Sequence, residues 1–168
     1  IVFRNMTFER MGSDAGSAIN IPNGVYYIGS APFAYTAIPS LVLPEGIQSI
    51  LRGTCVDMTN LTSVTIPNCV KEMEGVFWGC SKLTSVDIPA SVETIITENF
   101  GGCEALTNVT GGAGLKCVDP NAFGYDPHWD DEKMESVAGT GVPYYDNAPD
   151  GIRALGPVAY RYKGNLPE

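Results

Sequence analysis

The chain repeats its pattern of apolar and polar positions every 22 to 23 residues. An aliphatic residue followed by proline marks the copies at Ile21-Pro22, Leu43-Pro44, Ile66-Pro67 and Ile88-Pro89. Three more columns keep the same period: Phe33, Cys55, Phe77, Phe100 and Phe123; Val25, Ile47, Val70, Val92 and Leu115; Ile28, Ile50, Met73, Ile95 and Val118. A unit of this length is too short for a domain but fits one turn of a solenoid, so the pattern predicts a stack of coils.

Each copy opens with a signal for a short β-strand. In the copy that begins at Leu61, the apolar Val64 and Ile66 alternate with polar neighbours, which is the period of a strand. Pro67 follows at once, and proline has no amide hydrogen with which to continue a paired ladder. We therefore expect each strand to stop at its proline and the chain to turn there.

The second half of each copy predicts a return path. We expect Val70 and Met73 to point inward from a second extended segment, and Phe77 to fill the centre of the coil. Gly79-Cys80 and Gly102-Cys103 should turn the chain back towards the next strand. One coil cannot cover its own apolar side chains, so we expect only a stack of coils to fold.

The most regular copy contains Leu83, Val86, Ile88, Pro89, Val92, Ile95, Asn99-Phe100 and Gly102-Cys103. These motifs resemble the BspA-like leucine-rich repeats, the treponemal class of the leucine-rich repeat superfamily. The similarity extends from about Ile19 to Phe123, and the run from Tyr144 looks like a segment that accompanies such repeats in surface proteins of gut Bacteroidetes. The resemblance implies an extracellular, non-enzymatic protein that binds host or bacterial surfaces.

Three positions depart from the repeat pattern. Gly111-Gly112 replaces the aliphatic-proline pair of the last copy, Asp126 stands in the cysteine column, and Cys55 stands in the phenylalanine column. We interpret these departures as local distortions of the stack. The predicted fold is therefore a right-handed leucine-rich-repeat solenoid of the α/β superhelix class. It consists mostly of short parallel β-strands with turns and short 3-10 pieces, and has β caps at both ends.

The domain prediction treats residues 1–168 as one leucine-rich-repeat domain. Its parts are an N-terminal cap (1–18), about five repeats of 22–23 residues (19–126), and a C-terminal irregular loop plus β-hairpin (127–168). The hairpin signal is the alternation over 152–155 and 158–162 around Gly156-Pro157. A short helix is expected over about 131–137 in the irregular loop.

Composition excludes several classes of partner. The formal net charge of −9 argues against nucleic acid and against anionic membrane surfaces. No run of about 18 apolar residues occurs, so we expect no membrane insertion. Because the chain begins at Ile1 without a methionine, we expect a trimmed or mature fragment whose export signal lies outside this sequence.

The five cysteines leave one pairing open. Cys80 and Cys103 share a column, and stacked strands lie about 4.8 Å apart, which permits a disulfide geometrically. A ladder of small buried thiols is the favoured alternative. Cys55, Cys69 and Cys117 fall in unrelated columns, and no C-x-x-C pair occurs, so neither a zinc site nor a redox site is expected.

Polar residues on the first strand of successive copies are the main binding candidates: Thr62, Thr65, Thr84, Asp87, Thr107 and Thr110. Two interpretations stay open, a concave binding surface and a merely solvated face of the sheet. Trp78 follows the core residue Phe77, so it should lean outward, either as a binding anchor or as a cover for an apolar surface.

We find no sign of a catalytic or metal site. His128 lies among Asp126, Asp130, Asp131 and Glu132, but the spacing is not that of a calcium loop, and a solvated acidic loop is favoured. No G-x-S-x-G, H-E-x-x-H or G-x-G-x-x-G motif occurs. We therefore expect no enzyme and no cofactor.

The functional prediction is an exported interaction or adhesion module that binds a surface protein or glycan. A structural spacer within a larger surface protein and an accessory glycan-binding module remain alternatives. The identity of the ligand, the face that binds it and the oligomeric state stay open.

Overall fold

Short strands alternate with turns along the described part of the chain. The structure, a computed structural model, describes residues 2–3, 19–21, 23–29, 31–47, 49–124, 129–130, 135–136, 143 and 151–163. The strands are β1 (Val2–Phe3), β2 (Ile19–Asn20), β3 (Tyr27–Ile28), β4 (Ser40–Val42), β5 (Ser49–Ile50), β6 (Ser63–Thr65), β7 (Glu72–Glu74), β8 (Ser85–Ile88), β9 (Thr94–Ile96), β10 (Asn108–Gly111), β11 (Cys117–Val118), β12 (Trp129–Asp130), β13 (Glu135–Ser136), β14 (Gly151–Leu155) and β15 (Val158–Lys163).

The strands that follow the leucine of each copy stack in parallel. β2, β4 and β6 form one sheet, and β8 pairs with β10. Leu41 lies opposite Val64, and Val86 lies opposite Val109, so each strand pairs with its equivalent one copy away. β6 ends at Thr65 and β8 at Ile88, before the prolines. The predicted ends of these strands are confirmed.

A second parallel sheet forms the return path, in the order β5-β7-β9-β11. Its register places Ile50 beside Met73, Met73 beside Ile95 and Ile95 beside Val118. All four side chains are buried. The fourth apolar column of the sequence is therefore the inner face of this sheet, and each coil contributes one residue to it.

A file of phenylalanine rings runs through the interior between the two sheets. The ring centroids of Phe77 and Phe100 are 5.9 Å apart with planes 11° from parallel. Those of Phe100 and Phe123 are 5.3 Å apart with planes at 22°. All three residues are fully buried. Offset stacking adds to the apolar burial, and the file confirms that like side chains lie over like.

The first four residues of the phenylalanine column, Phe33, Cys55, Phe77 and Phe100, are each flanked by two left-handed residues. The residue two positions before each of them has a positive φ: Ala31 (54°), Gly53 (82°), Gly75 (51°) and Glu98 (55°). So does the residue two positions after each of them: Tyr35 (61°), Asp57 (53°), Gly79 (75°) and Gly102 (71°). These two columns form the corners of the coil. The turns predicted at Gly79 and Gly102 are confirmed.

The 3-10 pieces expected in the coils are absent from the residues that the structure describes, and that prediction is wrong there. A 3-10 helix needs consecutive right-handed residues, and the paired left-handed corners interrupt any such run.

The β-hairpin β14-β15 covers the last coil. Its strands pair antiparallel around Gly156-Pro157, as the alternation predicted. Leu155 is buried, and β15 lies against β11. A Cβ on Gly156 would collide with the carbonyl oxygen of Gly112, so the turn and the last coil touch through bare backbone. Gly111 and Gly112 both have a left-handed φ, 79° and 73°, and a Cβ on Gly111 would collide with the carbonyl oxygen of Ile88, so an aliphatic-proline pair does not fit there.

The short helix expected over 131–137 is wrong for residues 135–136. Glu135 pairs with Asp130, and Ser136 with Trp129, in an antiparallel two-stranded sheet. The helix prediction depended on a few helix-forming residues, and a segment of seven residues is too short to be helical without tertiary support. At the other end, β1 pairs with β3 and extends the stack there, while the rest of the expected N-terminal cap lies outside the described residues.

Candidate binding surfaces

Six polar residues lie on the first strands or directly before them, and we call this surface the threonine panel: Thr62, Thr65, Thr84, Asp87, Thr107 and Thr110. All six are exposed. In β8, Asp87 is exposed while its neighbours Val86 and Ile88 are buried, so the strand residues of the panel lie on the solvent side of the alternation, and its other three residues directly precede the strands. The structure therefore brings the predicted residues together, and Val42, 56% exposed, extends the panel by one coil.

Part of the panel's hydrogen-bonding capacity is used between coils. The Thr110 hydroxyl donates to Oδ1 of Asp87 over 2.7 Å. The Thr62 hydroxyl donates to the carbonyl of Pro39 over 3.0 Å. The side chains of Thr65 and Thr84 have no such partner among the described residues. The panel can thus offer a polar partner free hydroxyl groups at fixed spacing on a rigid sheet.

Trp78 lies apart from the panel, on the turn that follows β7. Trp78 is 44% exposed, which confirms that its side chain leans outward. A Cβ on Gly101 would lie 2.9 Å from Cδ1 and 3.1 Å from Nε1 of the indole. The pyrrole side of the ring therefore rests against the bare backbone of Gly101 in the next coil.

Asp57 belongs to the same surface, which we call the tryptophan turn: Asp57, Trp78, Gly79 and Gly101. The Asp57 amide donates to the carbonyl of Trp78 over 2.8 Å. Its carboxylate lies against the Cα of Gly79, where a Cβ would collide with Oδ1. The backbone hydrogen bond between the two coils thus holds the carboxylate of Asp57 against Gly79, the residue that follows the exposed Trp78.

Sequence reasoning missed Asp57. Its column holds Tyr35, Asp57, Gly79 and Gly102, which share a backbone conformation but no side-chain property. The usable signal was its position two residues after Cys55, since that corner is left-handed in every described copy. Aspartate is among the few non-glycine residues that tolerate this conformation.

The cysteines form no disulfide and offer no reactive centre in the core. All five are free thiols. The Cys80 thiol donates to the carbonyl of Cys55 over 3.0 Å, and the Cys103 thiol donates to that of Phe77 over 3.2 Å. Burial raises the pKa of the Cys80 thiol to about 12 and raises the pKa of Cys103 and of Cys55 as well. The thiols therefore stay protonated and serve as small core side chains.

The other residues considered from the sequence are not brought together by the described part of the structure. His128 and its acidic neighbours Asp126, Asp131 and Glu132 lie outside the described residues, and for Asp130 only the backbone is described. Among the residues that are described, no group of three or more His, Cys, Asp or Glu could hold a metal ion. No helix in that part of the chain is long and apolar enough to cross a membrane.

The family model that matches the chain agrees with the repeat. Residues 5–128 match the family model described as "BspA type Leucine rich repeat region", in six copies. A crystal structure of a leucine-rich repeat protein from Bacteroides ovatus ATCC 8483 is 22% identical and covers 59% of this chain, with a TM-score of 0.34. The chain in turn covers 38% of the length of that structure. No curated protein matches the chain.

Proposed function

We propose, from the premise that this chain belongs to the BspA-type leucine-rich repeat family, that it is an exported protein-interaction module. Its threonine panel binds a protein on a host or bacterial surface. The observation that carries this proposal is the panel itself. Stacked strands in register present exposed polar side chains on a rigid frame, and solenoids use such extended surfaces for recognition. Family membership favours an interaction module over an enzyme.

Binding at the panel can be tested with a charged double variant. Thr65→Lys and Thr84→Lys place two long cations on the panel without removing a described hydrogen bond of either side chain. We expect binding to fall at least about tenfold, since a misplaced or desolvated charge in an interface costs several kcal/mol. The measurement is surface binding of the purified chain to immobilised extracellular-matrix proteins and to fixed bacterial cells.

The matched control is Ser49→Lys with Cys117→Lys. These residues are also exposed and lie in one column of the second sheet, so the change of net charge is the same. The control should bind like the parent chain. Equal loss in both variants would indicate a non-specific charge effect, and no binding by the parent to any surface would favour the spacer alternative. Protease shaving of intact source cells tests the proposed export.

A further inference from the structure

The tryptophan turn offers a chemistry that the threonine panel does not. The position of Trp78 is occupied by Ala34 and Val56 in the preceding coils and by Gly101 in the next, so the fold does not require an aromatic residue there. The indole nevertheless lies against Gly101, and Trp78 is 44% exposed. A large apolar ring held in place at the surface is a typical anchor for a partner.

Asp57 presents an unpaired carboxylate at the turn that carries this ring. Within the described part of the chain, no hydrogen-bond donor or cation pairs with it. The cations of the repeat region are engaged elsewhere. Lys71 and Lys116 lie 3.4 Å and 2.6 Å from Glu93, Arg52 lies 3.8 Å from Glu98, and Lys82 donates to Asn60 over 2.7 Å.

Both groups extend in the same direction along the stack. The carboxylate of Asp57 reaches forward onto Gly79 of the next coil, and the indole of Trp78 reaches forward onto Gly101 of the coil after that. The two groups are thus displaced by one coil, about 4.8 Å, along neighbouring columns. A planar cation that stacks on the indole can reach the carboxylate with its edge.

We propose that the tryptophan turn binds an arginine side chain from a basic segment of the partner protein. The guanidinium stacks on Trp78 and donates two hydrogen bonds to the carboxylate of Asp57. Arginine fits better than lysine because its planar fork can stack and pair at once. The net charge of −9 supports the choice, since it steers a basic partner towards the chain. This inference deepens the proposed function and rests on it.

The test uses the fluorescence of Trp78. The chain has two tryptophans, so Trp129→Phe leaves Trp78 as the single reporter. The probes are a hexa-arginine peptide and its citrulline counterpart, which has the same shape without the charge. We expect the arginine peptide to change the emission with saturation, and the citrulline peptide to bind about tenfold more weakly or not at all.

Two variants locate the effect. Asp57→Asn removes the charge with a residue that also tolerates the left-handed corner, where φ is 53°. Its matched control is Glu72→Gln, an exposed carboxylate on the second sheet. We expect Asp57→Asn to weaken arginine-peptide binding about tenfold and Glu72→Gln to leave it nearly unchanged. Trp78→Ala, followed by calorimetry, should weaken binding by a similar factor.

Three results would overturn the proposal. The first is equal weakening of arginine-peptide binding by Asp57→Asn and Glu72→Gln. The second is equally strong binding of the arginine and citrulline peptides. The third is that neutral oligosaccharides displace the arginine peptide and by themselves change the Trp78 emission with saturation. The last result would make the site a glycan site. If the peptide fails to bind while the panel variant still abolishes surface binding, the arginine site is wrong and the proposed function stands.

Discussion

At the scale of the residue, the coil that contains Cys55 reverses the order of a large and a small buried side chain. Elsewhere in the described stack a phenylalanine is followed three positions later by a small residue, as in Phe77 with Cys80 and Phe100 with Cys103. In the coil where cysteine replaces phenylalanine, Cys55 is small and Met58, three positions later, is large, and both are fully buried. The methionine thus supplies the volume that the missing ring would have filled, which keeps the interior close-packed.

This exchange predicts a strong coupling between Cys55 and Met58. Cys55→Phe alone should overpack the coil and cost about 1–3 kcal/mol of unfolding free energy. Met58→Cys alone should leave a cavity and cost about 2–4 kcal/mol. The double variant restores the regular pattern, so its cost should be smaller than the sum by at least about 1 kcal/mol. Urea unfolding of the four proteins measures the cycle, and strictly additive costs would show that the two side chains do not share the space.

At the scale of the element, the corners of the coil depend on backbone conformation. Glycine adopts a left-handed φ freely, whereas other residues lose roughly 1 kcal/mol or more there. Four of the eight corner residues are not glycine: Ala31, Tyr35, Asp57 and Glu98. The neighbouring coils hold them in place through the ladder, as when the Glu98 amide donates to the carbonyl of Asn121 over 3.0 Å. The stack therefore imposes the turn even where the local sequence disfavours it.

Gly102→Ala tests the corner directly. The residue has a φ of 71°, and its new Cβ would lie 3.2 Å from the Cα of Gly79. We expect the unfolding free energy to fall by about 1–2 kcal/mol because the strain adds to a tight contact. The reverse change, Ala31→Gly, relieves strain at the corner and should leave stability unchanged or slightly raised, since the freer unfolded chain offsets the gain. Thermal unfolding compares them, and equal losses would refute the argument.

At the scale of the whole molecule, the stack must protect its ends. Each coil buries its apolar side chains only against the coils beside it, so the last coil needs a cover. The β14-β15 hairpin provides it through Leu155, which is 3% exposed, and through the approach of Gly156 to Gly112. In the coil that the cap covers, the left-handed φ of Gly111 and Gly112, 79° and 73°, excludes the aliphatic-proline pair of the other copies.

Gly156→Ala should loosen this cap. Gly156 has a φ of 56°, and a Cβ there would collide with the carbonyl oxygen of Gly112. We expect a loss of the order of 1–3 kcal/mol and faster hydrogen exchange at the amides of β11. Pro157→Ala is the control, because Pro157 is an exposed residue of the same turn. If the exchange at β11 is the same in both variants, the hairpin does not hold the end of the stack through this contact.

The sequence by itself determined the features that recur as side-chain types. The strands, their ends before proline, the inward columns and the file through Phe77, Phe100 and Phe123 all follow from one apolar period, because each coil can bury its side chains only by stacking on a copy of itself. The panel was found in the same way, from the polar half of the strand alternation. The hairpin followed from its local turn residues.

Only the tertiary structure decided the features carried by the backbone and by neighbouring coils. The corner columns mix glycine with Tyr35, Asp57 and Glu98, so no residue type marks them along the chain. The carboxylate of Asp57 meets the turn of Trp78 across a gap of 21 residues in sequence, and the failed helix at 135–136 pairs instead with β12. These features share one physical reason. The partner that fixes each local conformation is distant in sequence, and a local sequence pattern contains no information about that partner.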